Sequence, residues 1–309
     1  MKIRFGVGLG AGSPLSDFSR IVDRLESGGV DSLWLSEQVC SDAVDPFIGM
    51  AHALSRTSRL KVGTSVAVLP GRHPVLVAKQ LASLAGLSPR RVLPVFGLQP
   101  ARTGERELFP APEGRRGALF DESLELLRAS LSGEVAGFDG EFLSVDAARI
   151  GPLPAKPLDI WLGGSAPAGL RRAGRYGDGW LGSFLTPAAA GRAREAIQAA
   201  AAEAGRTIEP DHFGISLTVA EGGIPDDLAQ VIRRRVPESD PGDLVAAGWP
   251  ELHRLLDAYI EAGLTKFVIY SAGARPAEPS ADPSTDPSPD TSIDAFLDRF
   301  EAELLPRQN

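Results

Sequence analysis

The stretch that decides the fold runs from Val62 to Leu84 and reads VGTSVAVLPGRHPVLVAKQLASL. Its first half is a β-branched, strand-like run seeded with the small residues Gly63, Thr64 and Ser65. It stops at Pro70-Gly71-Arg72-His73-Pro74, and helical spacing follows at once. A buried strand leading directly into a helix is the repeating unit of an α/β fold. The unit recurs in both directions from here. Strand patterns at 2–9, 32–36, 60–69, 91–96, 160–163, 179–183, 213–220 and 266–270 alternate with helical patterns. The helices are expected at 14–27, 46–58, 74–87, 116–132, 167–176, 187–205, 250–263 and 293–305.

Eight such units in 309 residues predict a (β/α)8 TIM barrel, as one domain spanning 1–309. The strands are short and nearly uniformly apolar, which suits strands buried on both faces. Proline opens several of the helices, where its missing N–H costs nothing. The rival is a doubly wound sheet, which carries a Gly-rich phosphate turn after its first strand. Residues 6–12, GVGLGAG, miss the required G-x-G-x-x-G spacing.

Two insertions interrupt the rhythm. GEVAGFDGEFLSVD (133–146) reads as a hairpin turned at Asp139-Gly140, after the fourth helix. ARPAEPSADPSTDPSPDTS (274–292) has the Pro, Ser and Asp content of a disordered loop. Helical spacing resumes at Ile293, so this acidic loop is expected between strand eight and helix eight.

Composition excludes several function classes. The net charge is −8, and the acidic loop supplies much of it. No basic stripe exists, so nucleic acid is not an expected partner. No run of about 18 apolar residues exists, so no membrane span is expected. Cys40 is the single cysteine and can form no internal disulfide. The opening residues enter a strand pattern without an apolar leader, so a cytoplasmic protein is expected.

Metal and nucleophile chemistry find no support in the residue spacing. His52, His73, His212 and His253 are scattered. No nucleophile elbow or phosphate-binding Walker loop is present. This pattern points to chemistry carried by a cofactor, with the protein supplying a pocket. Three clusters fall at the C-terminal ends of strands, where barrel active sites lie. The first is Ser36, Glu37, Gln38 and Cys40. The second is Gly63, Thr64 and Ser65, where small residues permit a bulge or the close approach of a flat ligand. Arg72 and His73 follow it and are expected in a surface salt bridge or a helix cap. The third is Gly163-Gly164-Ser165 before a helix start, a backbone anion site, with Arg171 and Arg172 on the helix.

Three blocks, in order, resemble the bacterial luciferase-like monooxygenase superfamily. They are GTSVAVLPGRHPVLVAKQLASLAGLSPRRVLPVFGL, RRGALFDESLELLRASLSGEVAGFDGEFLSV and DIWLGGSAPAGLRRAGRYGDGWLG. The wording of RVLPVFGL and FDESLELLR is most similar to the branch of probable coenzyme F420-dependent oxidoreductases. The resemblance implies a barrel that binds a flavin or deazaflavin at its C-terminal face. It implies a non-prolyl cis peptide at Ser65–Val66, forming a bulge behind the ring. It implies a cofactor-phosphate site at Gly163, Gly164 and Ser165, and an acid, Glu37, near the ring's polar edge. Gln38 stands where members acting on alcohols carry a histidine. Gly97-Leu98-Gln99-Pro100 replaces a Gly-x-Gly-x-Gly strand end, and Gly97 and Gln99 are candidate cofactor contacts.

The expected function is hydride transfer between the deazaflavin C5 and a small organic substrate, with Glu37 or water as proton donor. One alternative is an FMN-dependent monooxygenase fed with reduced flavin by a partner reductase. Another is a non-catalytic deazaflavin-binding barrel. A homodimer and a separate F420- or flavin-reducing partner are also expected.

Overall fold

The computed structural model describes residues 2–10, 13, 15–273 and 292–309. Apart from Ser292, the acidic stretch 274–292 lies outside the described residues. So do Ala11 and Gly12 of the N-terminal glycine run.

Strand and helix alternate as the sequence pattern requires. The first half contains β1 (Arg4–Leu9), α1 (Phe18–Gly28), β2 (Ser32–Leu35) and α2 (Pro46–Arg56). It continues with β3 (Lys61–Thr64), β4 (Ala67–Val68), α3 (Pro74–Leu87), β5 (Val92–Leu93), β6 (Val95–Gly97) and α4 (Arg116–Leu131). A hairpin, β7 (Glu134–Asp139) and β8 (Ser144–Arg149), leads to β9 (Trp161–Gly163), α5 (Pro167–Tyr176), β10 (Gly179–Ser183) and α6 (Pro187–Glu203). The chain ends with β11 (Phe213–Val219), α7 (Asp226–Arg235), β12 (Val245–Ala246), α8 (Trp249–Glu261), β13 (Lys266–Ser271) and α9 (Ile293–Leu304).

The sheet order is β4-β6-β9-β10-β11-β13-β1-β2-β3-β5, and its pairs are parallel. β3 and β4 are two halves of the third barrel strand, and β5 and β6 two halves of the fourth. β3 lies beside β5 and β4 beside β6, so the two ends of the path meet and the sheet closes. The sequence pattern predicted both strands unbroken. The fourth breaks at Pro94, which has no N–H to donate. The third breaks at Ser65-Val66, where the peptide bond is cis. Thr64 bridges the gap: its hydroxyl donates to the Val95 carbonyl (2.6 Å) and accepts from the Val95 N–H (2.8 Å).

Alternation along each strand separates two cores. Phe5, Val7, Leu33, Leu35, Phe213 and Ile215 face outward, into the layer shared with the helices. Trp34, Val95, Trp161, Leu181 and Val268 fill the barrel, with Val66, Leu93 and Tyr270 packed against them. Trp34 dictates where glycine must stand. A Cβ at Gly6 would lie 2.4 Å from its Nε1, and one at Gly63 would lie 2.9 Å from its Cε3 and 2.5 Å from the Leu93 carbonyl. Gly63 therefore makes room for interior packing. At the N-terminal end, Asp31 pairs with Lys61 (2.7 Å) and Arg4 (3.5 Å), and Lys266 sits 5.2 Å from the Trp161 ring.

The hairpin turns after Asp139, where the Gly140 N–H donates to the Leu143 carbonyl (2.9 Å). Glu122 and Asp121 on α4 are both bound. Glu122 accepts from the N–H groups of Glu141, Phe142 and Leu143 (2.8, 2.9 and 2.6 Å) and fixes the hairpin to α4. Asp121 pairs with Arg172 at 2.5 Å. α7 and β12 were not anticipated, and α1 starts at Phe18 after a short 3-10 turn at Leu15–Asp17.

Glu26 performs the same kind of backbone fastening between α1 and the start of β3. Burial pushes its carboxyl up, but hydrogen bonds from Ser58, Leu60 and Arg59 outweigh that and hold it at about 2, against an ordinary 4.5. A folded-state value below the unfolded one contributes stability that is fully present above about pH 4.5 and is lost as pH falls toward 2. Glu26→Gln is expected to flatten the acid limb of the urea-stability profile across that window. An unchanged limb would rule the contribution out.

Candidate active site at the barrel mouth

Glu37 lies just past β2, and its side chain is 2% exposed. Both carboxylate oxygens are engaged. Oε1 takes Arg72 Nη2 at 2.5 Å, and Oε2 takes Arg72 Nη1 and the Val68 N–H, each at 2.7 Å. Arg72 also donates to the Val68 carbonyl (2.7 Å), and its guanidinium lies over the rings of Phe109 (5.1 Å) and Phe47 (5.7 Å). The pair clamps both polar groups of Val68 and so holds β4 in place behind the break. Arg72 was expected in a surface salt bridge; its partner is instead a buried carboxylate. Glu37 was a candidate proton donor, and here its oxygens are occupied in fixing the strand. His73 is exposed at the start of α3 and makes no side-chain cap.

Inside the lip, four hydroxyls from four strands converge. Ser36 Oγ donates to the Ser65 carbonyl (3.1 Å) and lies 3.2 Å from Tyr270 Oη. Ser65 Oγ lies 3.4 Å from Ser216 Oγ. All four side chains are half-buried. The break in the third strand is what turns Ser65 into this group. Burial pushes the Tyr270 phenol above its ordinary value, and Ser36 and Ser65 pull it part of the way back.

The remaining candidates divide. Thr64 is fully buried and occupied by Val95. Val66 wedges between two glycines: a Cβ at Gly97 would lie 2.5 Å from its Cγ2, and one at Gly163 would lie 2.9 Å from its Cγ1. Gly97 and Gly163 thus give room to Val66. Gly164 differs, with φ 109° and nothing within 4 Å of where a Cβ would stand. Its carbonyl accepts from the Trp180 indole (2.8 Å), and Ser165 and Ala166 beside it are exposed. Gln38 is half-buried; its backbone carbonyl accepts from Ser41 Oγ (2.7 Å), and its side-chain amide lies 3.7 Å from the Cβ position of Gly10. Gln99 is exposed on the loop after β6. Arg172 turns away from the glycine turn toward Asp121 and the Gly117 carbonyl.

Sequence reasoning missed Tyr270, Ser216 and Glu105. Glu105 is buried and accepts from the Cys40 N–H (2.9 Å), tying the loop after β6 to the loop after β2. Its Oε2 has no partner among the described residues. No local motif marks these residues; only the closure of the barrel brings them to one end.

The family model for luciferase-like monooxygenases matches residues 1–254. The chain belongs to this family. An uncharacterized protein of Mycobacterium tuberculosis is 36% identical over 174 residues, covering 56% of this chain. That match spans 60% of the relative's length. An F420-dependent glucose-6-phosphate dehydrogenase of Beutenbergia cavernae is 28% identical over 300 residues, covering 82% of this chain and 86% of the relative. Among solved structures, an F420-dependent secondary alcohol dehydrogenase in complex with an F420-acetone adduct superposes with TM-score 0.77 at 18% identity, covering all of both chains. At that identity the likeness shows the luciferase-like barrel fold.

The residues at this mouth fit a cofactor with a flat ring and a phosphate. α5 begins without a side-chain cap, with Pro167 in its first turn and the open Gly164 turn in front of it. Uncapped first-turn N–H groups and the positive end of a helix dipole attract phosphate. The half-buried hydroxyls of Ser65 and Ser216 offer hydrogen bonds to the polar edge of a ring without placing a charge beneath it.

Proposed function

We propose that this chain is an F420-dependent oxidoreductase acting on a small organic substrate. The observation that carries the reading is the makeup of the mouth. Neutral hydroxyls and small residues line it, and none of them can accept or release an electron pair reversibly, so the redox chemistry falls to a bound cofactor. The F420-dependent relatives support the choice of cofactor. Reduced deazaflavin supplies a hydride from its C5 when bound.

In this reading, Gly164, Ser165 and the first turn of α5 hold the phosphate. Ser65, Val66 and the strand ends at Gly97 and Gly163 back the ring. Gln38 and Gln99 border the substrate side. Glu37 and Arg72 keep the backing strand rigid, so that ring and substrate meet in one orientation. The same proposal includes a cytoplasmic location and a separate enzyme that reduces the cofactor. It also includes a homodimer, for which exposed Ile48 on α2 and Leu76 and Leu87 on α3 offer apolar surface.

Fluorescence titration of the purified protein with F420 and with FMN tests the assignment. F420 is expected to saturate in the micromolar range and FMN to bind more weakly. If FMN saturates and F420 does not, the FMN-dependent monooxygenase reading takes its place.

A further inference from the structure

A hydride transfer to an organic substrate also moves a proton, and the groups expected to carry one are placed elsewhere. His52 on α2 bonds Ser19 (2.8 Å), and His73 is exposed ahead of α3. His212 bonds the Asp178 carbonyl (2.8 Å) beside Trp161, and His253 on α8 lies between Glu303 and Arg307. Glu37 is bound by Arg72 and Val68. Glu105 sits in a loop outside the strand ring, tied to Cys40. Among the described residues, Tyr270 is the titratable side chain that the inner face of the strands presents at the mouth.

Its placement is built in. A Cβ at Gly8 would stand 2.3, 2.4 and 2.5 Å from three atoms of the Tyr270 ring, so the ring lies directly on the backbone of β1. Ser36 spends its hydrogen on the Ser65 carbonyl (3.1 Å), so Tyr270 is the donor in the 3.2 Å contact between the two hydroxyls. That contact is long for an O–H···O bond, and a substrate oxygen gaining negative charge is the stronger acceptor. Ser36 thus holds the phenol hydrogen until such an oxygen arrives.

We infer that Tyr270 is the proton donor of a reductase, whose substrate is a ketone or an alkene conjugated to a carbonyl. This rests on the reading of the chain as an F420-dependent oxidoreductase. As the electrophilic carbon gains a hydride with its electron pair, a C–H bond forms and the π pair shifts to the carbonyl oxygen. That oxygen takes the Tyr270 proton, and the phenolate regains one from water at the mouth. The opposite direction, oxidation of an alcohol, needs a base to remove the hydroxyl proton. The same group would serve there only as its phenolate, and a phenol that burial holds above its ordinary value supplies little phenolate near neutral pH, so reduction is the favoured direction.

Tyr270→Phe removes one oxygen and keeps the ring on Gly8. Three measurements on the full chain test the proposal. The variant is expected to bind F420 within about threefold of the wild type. With reduced F420 and cyclohex-2-en-1-one or cyclohexanone as probe, single-turnover oxidation of the bound cofactor is expected to slow by about 100-fold or more, the usual contribution of a positioned acid. Alkaline titration of the wild type without cofactor is expected to show no phenolate absorbance below the ordinary phenol value of 10.0, since Tyr176, Tyr259 and Tyr270 are all held above it. A wild-type rate in Tyr270→Phe, a phenol that titrates below 10.0 in the wild type and is absent from Tyr270→Phe, or a wild type that binds F420 yet reduces neither probe overturns the inference. A wild type that does not bind F420 defeats the cofactor reading and this inference with it.

Discussion

Arg72→Ala is expected to destabilise the protein by about 3–5 kcal/mol, the cost of removing one partner of a buried ion pair. The reason is what it leaves behind. Glu37 is 2% exposed, and after the substitution its carboxylate keeps a single donor, the Val68 N–H (2.7 Å). The guanidinium also leaves the faces of Phe109 and Phe47, so packing is lost together with charge. Urea unfolding at neutral pH reads the loss directly. Two companion variants separate the causes. Arg72→Met keeps the stem but not the charge and is expected to be nearly as unstable. Combining it with Glu37→Gln removes the uncompensated charge and is expected to recover a large part of the loss. If Arg72→Ala costs less than about 1 kcal/mol, within the range of exposed pairs, the clamp is not a structural element.

Trp34→Ala is expected to cost about 3–5 kcal/mol, for a different reason. Trp34 is 1% exposed, and its indole N–H donates to Ser32 Oγ at 2.9 Å. Gly6 and Gly63, which leave room for it, carry no side chains that could collapse into the space it vacates. The substitution empties the middle of the barrel and orphans a buried serine hydroxyl. Thermal unfolding by calorimetry, set beside Trp34→Phe, measures the effect. Trp34→Phe is expected to retain most of the stability, and equal losses from both would show that the site relaxes. Such a cavity also lies beneath the hydroxyls of the lip, so F420 affinity measured on the same samples reports whether the floor transmits the change.

The barrel was legible because its strands are buried on both faces and each is followed by its helix. The hairpin at 134–149 was legible from Asp139-Gly140, and the eighth helix from the spacing of Phe296, Leu297, Phe300 and Leu304. α7 was not, since it buries only Ala229 and Ile232, and Asp226, Asp227, Gln230 and three arginines give it the composition of a polar loop. The site divides along the same line. The cis bond at Ser65–Val66 followed from the resemblance, whose distinguishing residues lie close together in the chain. The Glu37–Arg72 clamp joins residues 35 positions apart, and Tyr270 meets Ser36 across 234. No periodicity or motif encodes contacts of that separation. Gly63 and Thr64 were read as making way for a ligand. Their occupations are structural, because a small residue beside a large interior side chain has the same sequence signature as one beside a ring.

The bridge from Thr64 to Val95 gives the barrel a seam. Around most of the circumference, backbone pairs to backbone, and losing one side chain leaves the ladder intact. Where the third and fourth strands break side by side, closure at that level passes through one hydroxyl that both gives and receives a hydrogen bond. A cylinder stitched this way has a preferred line along which to open. The Glu37–Arg72 clamp stands beside that line, and Ser65 is at its upper end. The seam thus runs out at the lip of the mouth, among the hydroxyls that line it.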